Sequence, residues 1–341
     1  MAGLRVAVTG ATGLVGRTIL QVLEERPWIA VDEVVALASE RSAGSRVRFR
    51  GREIEVRRLH EGAFDGCDIV FFSAGASVSR EFAPLAARHA RWVIDNSSAF
   101  RMDPAVPLVV PEVNPHVLEG YRGIVANPNC STIQMVVALE PLHRGFTLES
   151  VVVSTYQSVS GSGAKGVRAL DHEMRTGHRS PDSPYPHPIA WNVLPHIDVF
   201  DDEGWSGEER KMINETRKIM EIPGLHVVPT TVRVPVRVSH SESIYARFAR
   251  PVDPDRARFL LETARGVTLR DEPRSNAYPL ALEAEGKDDV FVGRLRQIPG
   301  DDHALAFWVV ADNVRKGAAS NAVGVAETAL ALHEKPGVTH A

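Results

Sequence analysis

Cysteine is nearly missing: Cys67 and Cys130 are the two in 341 residues. That excludes the disulfide framework of a small secreted scaffold and points to reduced thiols in a reducing compartment. Long apolar runs are missing too, since stretches such as Asp68-Ile69-Val70-Phe71-Phe72-Ser73 fall far short of the ~20 residues that cross a bilayer as a helix. No membrane span is expected. Met1 to Arg5 leads straight into Val6-Ala7-Val8 without a basic segment, an apolar segment and a small-residue cleavage site, so a cytoplasmic location is the expectation. A basic block is lacking as well. Lys+Arg 39 against Asp+Glu 43 leaves a net charge of −4, which offers no polyanion-binding footprint and argues against nucleic acid as a partner. No internal repeat and no serine- or glycine-rich linker is found.

What is present is a globular composition, 44% hydrophobic and 24% charged. At roughly 150 residues per domain, the length suggests two domains. Leu4 to Thr9 reads as a strand ending in Gly10-Ala11-Thr12-Gly13-Leu14-Val15-Gly16, after which Ile19, Leu20 and Leu23 recur at helical spacing. Further strands at Val34–Ala38, Ile69–Phe72 and Trp92–Ile94 alternate with helical stretches such as Phe82–Arg91, the pattern of a doubly wound parallel sheet. Beyond about residue 150 the runs Val151–Tyr156, Val227–Val238, Ser243–Phe248 and Ala304–Val310 are strand-like with few intervening helices, which predicts a mixed or antiparallel sheet. Arg179–His196 carries five prolines, Pro181, Pro184, Pro186, Pro188 and Pro195, and reads as a loop wrapped over a surface or a partner subunit. Ala318–Leu332 reads as a final helix that returns to the first domain.

Three features carry chemistry. The glycine turn departs from G-x-G-x-x-G, its second glycine falling at the fourth position, yet it keeps the physical means of holding a pyrophosphate: close backbone approach and a helix N-terminus. After the second strand, Ser39, Arg41 and Ser42 supply hydroxyls and a guanidinium suited to a ribose 2′-phosphate, with Glu40 arguing mildly for a 2′-hydroxyl, so NADP is the favoured cofactor. Cys130, in Asn127-Pro128-Asn129-Cys130-Ser131-Thr132 ahead of the apolar run Ile133–Leu139, falls at the N-terminus of a buried helix, where dipole and N–H groups favour a thiolate. Cys67 reads as a packing residue. A thiolate nucleophile wants a proton partner, and of 13 histidines His240 stands out because it follows the alternating run Arg233–Ser239.

These segments together resemble the aspartate-semialdehyde dehydrogenase family. The likeness rests on the glycine turn, Ser97-Ser98-Ala99-Phe100-Arg101, Asn127 to Thr132, Gln157 to Gly161, Asn192 to Asp198, Glu215-Thr216-Arg217-Lys218, Arg233 to Val236 with His240 to Ser243, and Asp312 to Ala318, in the family's order over nearly the whole chain. The resemblance implies an α/β fold: a Rossmann-type doubly wound parallel sheet over 1–129, completed by a C-terminal helix 316–341, plus an α+β catalytic and dimerisation domain with a mixed sheet over 130–315. It implies reversible, NADP-dependent reductive dephosphorylation of L-aspartyl-4-phosphate to L-aspartate-4-semialdehyde through a Cys130 thioester, in lysine, threonine, methionine and diaminopimelate biosynthesis. Within that resemblance His240 is the acid/base and Gln157 orients the substrate. Arg233 grips the α-carboxylate, Glu215 pairs with the ammonium, and Arg101 and Lys218 hold phosphate. The implied cofactor positions are Gly10, Thr12, Gly13, Leu14, Val15 and Gly16, then Ser39, Arg41 and Ser42, then Ser160, Gly161 and Asn321 near the nicotinamide. No metal is implied. The implied partners are the small substrate, inorganic phosphate and a second copy, as homodimer or homotetramer. Gly324 departs from the family, where many members carry glutamine, and this puts one cofactor contact in doubt. Alternatives are an N-acetyl-glutamyl-phosphate reductase-like enzyme, against which Glu215 speaks, and an inactive binding paralogue, against which the joint presence of Cys130, Gln157, Arg233 and His240 speaks.

Overall fold

Strand β1 (Leu4–Thr9) buries Val6 and Val8 completely, and the helix that follows the glycine turn, α1 (Leu14–Glu25), turns Ile19, Leu20, Val22 and Leu23 towards it. The structure is a computed structural model describing residues 3–334. Next come β2 (Val31–Ala38), a hairpin of β3 (Arg46–Phe49) and β4 (Arg52–Glu55), then β5 (Arg57–Arg58), β6 (Ile69–Phe72), α2 (Ala76–Ala86), β7 (Trp92–Asp95) and β8 (Gly123–Ala126). Six of these strands form one parallel sheet in the order β5-β2-β1-β6-β7-β8. Strand order reverses between β1 and β6, and in such sheets ligands bind at the carboxyl ends of the strands beside that reversal. Ile69, Val70, Phe71 and Phe72 are all fully buried, the unbroken apolar run of a strand covered on both faces. The helix expected at Phe82–Arg91 lies earlier, at Ala76–Ala86. Its buried face is Ser79, Ala83 and Ala86, small residues that give little hydrophobic signal, while Arg91 already leads into β7, its N–H bonding to Asp68 O just before β6.

A second unit comprises residues 129–317, while 318–334 belong with 3–128. Its elements are α3 (Cys130–Phe146), β9 (Leu148–Gln157), α4 (Gly163–Thr176), α5 (Gly207–Ile219), β10 (His226–Arg233), β11 (His240–Phe248), α6 (Pro254–Glu262), β12 (Val267–Leu269), α7 (Ala281–Ala284), β13 (Val290–Ile298) and β14 (Asp301–Ala311). The sheet runs β10-β9-β11-β14-β13-β12 and is mixed, with β10/β9 and β12/β13 parallel and the other pairs antiparallel. Helices are more numerous here than the sequence suggested. α4 and α5 are mostly polar and bury narrow stripes; α5 is started by a capping box in which the Ser206 side chain and the Glu209 N–H, and the Glu209 side chain and the Ser206 N–H, bond reciprocally. The strand expected over Val227–Val238 stops at Arg233: Pro235 has no N–H to give a ladder, and Ser239 turns with φ +73° before β11 begins.

The proline-rich stretch is a loop, and three of its backbone donors are satisfied by one buried carboxylate. Glu173 of α4 accepts from Ile189 N at 2.7 Å, Ala190 N at 2.9 Å and Ser180 N at 3.4 Å. Leu194 then exchanges two main-chain hydrogen bonds with Arg233, at 2.9 and 2.8 Å, tying the loop to the end of β10.

After β14 the chain makes one wide helical turn, Arg315–Ala319, and enters α8 (Ser320–Glu334), which packs Ala322, Val323, Ala326 and Ala329 into the core formed by Ile19, Leu23 and Trp92. Positions 335–341 of the expected C-terminal helix lie outside the described residues. Gly324 sits inside α8, and a Cβ there would meet Pro111 Cγ at 3.4 Å and Arg26 Nη1 at 3.9 Å, ordinary contacts. Gly324→Ala is therefore expected to stabilise the fold by about 0.5–1 kcal/mol, read as a rise in the denaturant midpoint, because alanine has less backbone freedom to lose. A lowered midpoint would mean that Pro111 cannot yield the last tenths of an ångström.

Candidate functional site

The residues expected to hold the cofactor lie in the first unit, at the carboxyl ends of β1 and β2. Gly10 has φ +78°, and a side chain there would lie 2.7 Å from Ser73 O at the end of β6, so only glycine closes this turn. Gly13 donates to Gly10 O at 2.9 Å and caps α1, and a Cβ on Gly16 would lie 2.2 Å from Gly10 O, which brings helix and strand into direct backbone contact. The seven-residue spacing is thus a complete strand-to-helix turn, with Thr12, Gly13, Leu14 and Val15 at least partly exposed and no acidic side chain in the first turn of α1. Ser39 and Arg41 are exposed and Ser42 half-buried on the short turn after β2. Glu40, the residue that argued for a ribose hydroxyl, lies 3.4 Å from Arg58, which the pairing of β5 with β2 brings beside it. Arg58 escaped sequence reasoning because nothing local links it to residue 40.

Arg101 and Asn321 belong to the same unit. Arg101 is buried and donates from Nε to Asn127 O and from Nη2 to Asn96 O, both at 2.9 Å. Asn321 is also buried and donates from Nδ2 to Val109 O at 2.9 Å and to Asn127 Oδ1 at 2.7 Å, which makes it a packing strut of α8 in this structure.

The second unit holds the thiol. Asn129 caps α3, its Oδ1 accepting from Ser131 N and Thr132 N at 3.1 Å, and leaves half-buried Cys130 at the first helical position. Asn129 is itself held by two carboxylates of α5: Glu215 Oε2 accepts its main-chain N–H at 2.6 Å, and Glu208 Oε1 accepts its Nδ2 at 2.8 Å. The same Glu208 oxygen accepts Gln157 Nε2 at 3.1 Å, so one carboxylate sets both the cap beneath the thiol and the glutamine. Gly317 completes the cradle, because a Cβ there would come within 2.7 Å of Cys130 Cβ. Lys218 follows Glu215 by three residues on α5 and is half-buried.

Strand register assembles the remaining groups. Arg233 of β10 pairs with Gln157 of β9, and Ser241 of β11 pairs with Tyr156, which puts His240 beside Gln157 at the sheet end and on the face over which α3 packs. Arg233 donates from Nη1 to Ser158 O at 2.6 Å, and a side chain on Gly161 would lie 2.7 Å from that nitrogen and 3.3 Å from His240 Cε1. The Ser158 N–H donates to His240 Nδ1 at 3.0 Å; that nitrogen presents its lone pair, and the neutral ring is assigned its proton on Nε2. Nε2 is buried with no hydrogen-bond partner among the described residues. Burial holds His240 well below the ordinary imidazole range, the Arg233 charge lowers it further, and a main-chain hydrogen bond at Ser239 opposes both. Asn313 Oδ1 accepts from Ser158 Oγ, Ser160 Oγ and Ser239 N at 2.9–3.0 Å, locking the turns around the histidine.

Cys130, Gln157, Ser160, Gly161, Glu215, Lys218, Arg233 and His240 therefore all lie in one unit. Sequence reasoning missed Glu208, Ser158, Asn313 and Gly317. The Ser206-x-x-Glu209 capping pattern could have placed Glu208 on the first turn of a helix, but its partners are 51 and 79 residues away. Cys67 is the opposite kind of thiol: 3% exposed, and pushed up to about 11 chiefly by burial. Among the described residues no group of three or more His, Cys, Asp or Glu side chains could hold a metal ion, and no helix is long and apolar enough to cross a membrane.

Comparison with known proteins identifies the family. Residues 5–121 match the family model "Semialdehyde dehydrogenase, NAD binding domain" and residues 139–316 match "Semialdehyde dehydrogenase, dimerisation domain". The chain is 52% identical over 332 residues to the aspartate-semialdehyde dehydrogenase of Aquifex aeolicus, covering 95% of this chain and 97% of that one. It superposes on aspartate semialdehyde dehydrogenase II of Vibrio cholerae complexed with ASA with a TM-score of 0.93 at 43% identity, over 97% of this chain and 99% of that one. On the Candida albicans enzyme with NADP the TM-score is 0.75 at 25% identity, over 97% and 99% of the two chains. A doubly wound nicotinamide-cofactor domain and a cysteine-bearing mixed-sheet domain, matched over nearly their whole length, make this chain an oxidoreductase that belongs to the aspartate-semialdehyde dehydrogenase family.

Proposed function

We propose that this chain catalyses the NADP-dependent, reversible conversion of L-aspartyl-4-phosphate to L-aspartate-4-semialdehyde and phosphate, with Cys130 as nucleophile. The observation that carries the reading is the capped N-terminus of α3, bearing Cys130 over the sheet face that presents Gln157, Arg233 and His240. In the reducing direction Cys130 Sγ attacks the acyl carbon and the carbon–oxygen bond to phosphate breaks, leaving a thioester. NADPH, when bound, supplies the hydride that reduces it. Collapse of the resulting hemithioacetal oxyanion expels the thiolate and releases the aldehyde. The helix N-terminus at Cys130 favours an anionic sulfur.

His240 enters with its Nε2 proton. A neutral imidazole whose Nδ1 is occupied by the Ser158 N–H is better built to donate to the oxyanion than to take the thiol proton. Arg233 offers a planar cation to the α-carboxylate, Glu215 a carboxylate to the ammonium, and Gln157, fixed by Glu208, a rigid amide to the acyl group. Arg101 and Lys218 are the proposed phosphate ligands, and Ser160 and Gly161 line the nicotinamide side beside His240. In support of the substrate and cofactor, the Vibrio cholerae structure holds ASA and the Candida albicans structure holds NADP. For the 2′-phosphate, Ser39, Arg41 and Ser42 are joined by Arg58, which occupies Glu40. Asn321 keeps its place in this reading as a support of that domain.

The reading includes a cytoplasmic site of action and a homodimer formed through the second unit, with a tetramer as its doubling. Support comes from the description of the matched family model and from the outward sheet face, where Val152, Tyr156 and Val228 are exposed and the Tyr156 ring packs tilted against Trp308. Trp191 and Val193 of the proline-rich loop are exposed as well.

Cys130→Ala is expected to lower phosphate-dependent NADPH formation from aspartate semialdehyde by roughly 10⁴-fold or more while NADP still binds, the scale on which loss of a covalent nucleophile acts; retained turnover would sink the thioester. An alkylating reagent at neutral pH should modify Cys130 and spare Cys67, read by peptide mass spectrometry. Arg41→Ala should reduce the NADP-over-NAD ratio of kcat/KM by about tenfold, the value of a charge-assisted hydrogen bond to phosphate. Equal rates with both cofactors in the unaltered enzyme would overturn the cofactor assignment.

A further inference from the structure

One buried acid has no part in the chemistry above. Glu242 lies two residues after His240 on β11, on the same sheet face, opposite Thr155 of β9 and Val309 of β14. It is 0% exposed, and neither carboxyl oxygen has a hydrogen-bond partner of good geometry among the described residues. Facing it is Gln134 of α3, also fully buried, whose Oε1 has no hydrogen bond and whose Nε2 donates to His240 O at 3.4 Å. Gln134 is four residues after Cys130, so the two side chains share one face of α3, a turn apart. An ionised carboxylate buried here, with Gln134 Oε1 a second acceptor lacking a hydrogen-bond partner among the described residues, would stand at a prohibitive cost. One proton resolves this.

The geometry points to Glu242 as a positioning residue that is protonated in the working enzyme: its O–H donates to Gln134 Oε1, and Gln134 Nε2–H in turn holds the His240 carbonyl, fastening the strand of the histidine to the helix of the cysteine. The surroundings agree. The groups from α3, β9 and β14 that meet it are uncharged, the one charge acting on it from another element among the described residues is the Glu208 carboxylate of α5, and burial disfavours a charge on His240 of its own strand. Burial pushes Glu242 well above the usual carboxylate range, the Gln134 amide lowers it in part, and Glu208 raises it again.

The inference rests on the roles proposed for Cys130 and His240, but it has readouts that need no turnover. In the infrared, the unaltered protein at neutral pH should show the carbonyl band of a protonated carboxyl that disappears in Glu242→Gln; absence of that band overturns the proposal. The unfolded chain ionises residue 242 at the ordinary carboxylate pKa of ~4.3, whereas the folded chain keeps its proton, so unfolding releases a proton and stability falls as pH rises between the two values. Glu242→Gln, which cannot titrate, should therefore gain melting temperature over the unaltered protein as pH goes from about 5 to about 8, and parallel curves would count against a neutral acid. In activity, Glu242→Gln, still able to donate, should keep kcat within about threefold, while Glu242→Leu should lose about tenfold in kcat with KM little changed, the scale of a stranded buried acceptor. A glutamine variant as slow as the leucine variant would show that a charge, not a donor, is needed there.

Discussion

The second unit depends on how the carboxylates of α5 are satisfied. Glu208 and Glu215 are buried acids on one helix, and unpaired ionised acids in such a place would cost several kcal/mol each. Lys211 supplies a cation 3.5 Å from Glu208 Oε2, and further compensation comes from donors placed by other elements, among them the Asn129 main chain and amide and the Gln157 amide. The requirement runs in both directions. The acids need these donors, and the donors are thereby fixed at the start of α3 and the end of β9, where the proposed nucleophile and its proposed orienting glutamine stand. A reactive arrangement is held by groups that would otherwise destabilise the fold.

A second constraint acts on the histidine. Complete burial beside Arg233 disfavours an imidazolium, and the Ser158 N–H occupies the only nitrogen that could accept a proton. Turn geometry enforces this: Ser158 is pinned through Asn313, which also takes Ser160 and the Ser239 N–H, and Ser239 itself sits in the left-handed region so that β11 can begin at His240. Oxyanion stabilisation by a preoriented neutral donor needs no charge at rest, which suits a group that has lost its hydration. The acid two residues on obeys the same rule, since burial leaves it neutral as well.

Periodicity made the first unit legible. Apolar runs at 4–9 and 69–72 followed or preceded by glycine turns are strands of a parallel sheet, and the order of strand, glycine turn and helix was plain from residues 4–25. Helix α2 was misplaced because alanine and serine, not large apolar residues, form its buried face. In the second unit the β-branched strands were readable, but α4 and α5 were not, because their stripes are narrow and their burial includes Glu173, Glu208, Glu209 and Glu215. A buried glutamate reads in sequence as a solvated one. Local motifs marked Cys130 and its cap, whereas Glu208, Asn313 and Gln134 act across 51 to 155 residues of separation and have no local signal.

The contrast between the two cysteines shows what position adds to composition. Cys67 follows a left-handed Gly66 at the entrance to β6, packs against Phe64 and Val70, and is desolvated without a donor network, which keeps its proton on. Cys130 has the same side chain, yet it is half-buried and begins a helix whose cap is gripped by two acids, with Gly317 beside it where a side chain would not fit. Apolar packing stabilises the neutral thiol, and oriented N–H groups stabilise the anion; the difference in reactivity follows from which of the two the fold supplies. By the same argument the glycine at 317 belongs with the setting of Cys130, since a Cβ there would lie 2.7 Å from Cys130 Cβ and force the start of α3 to shift.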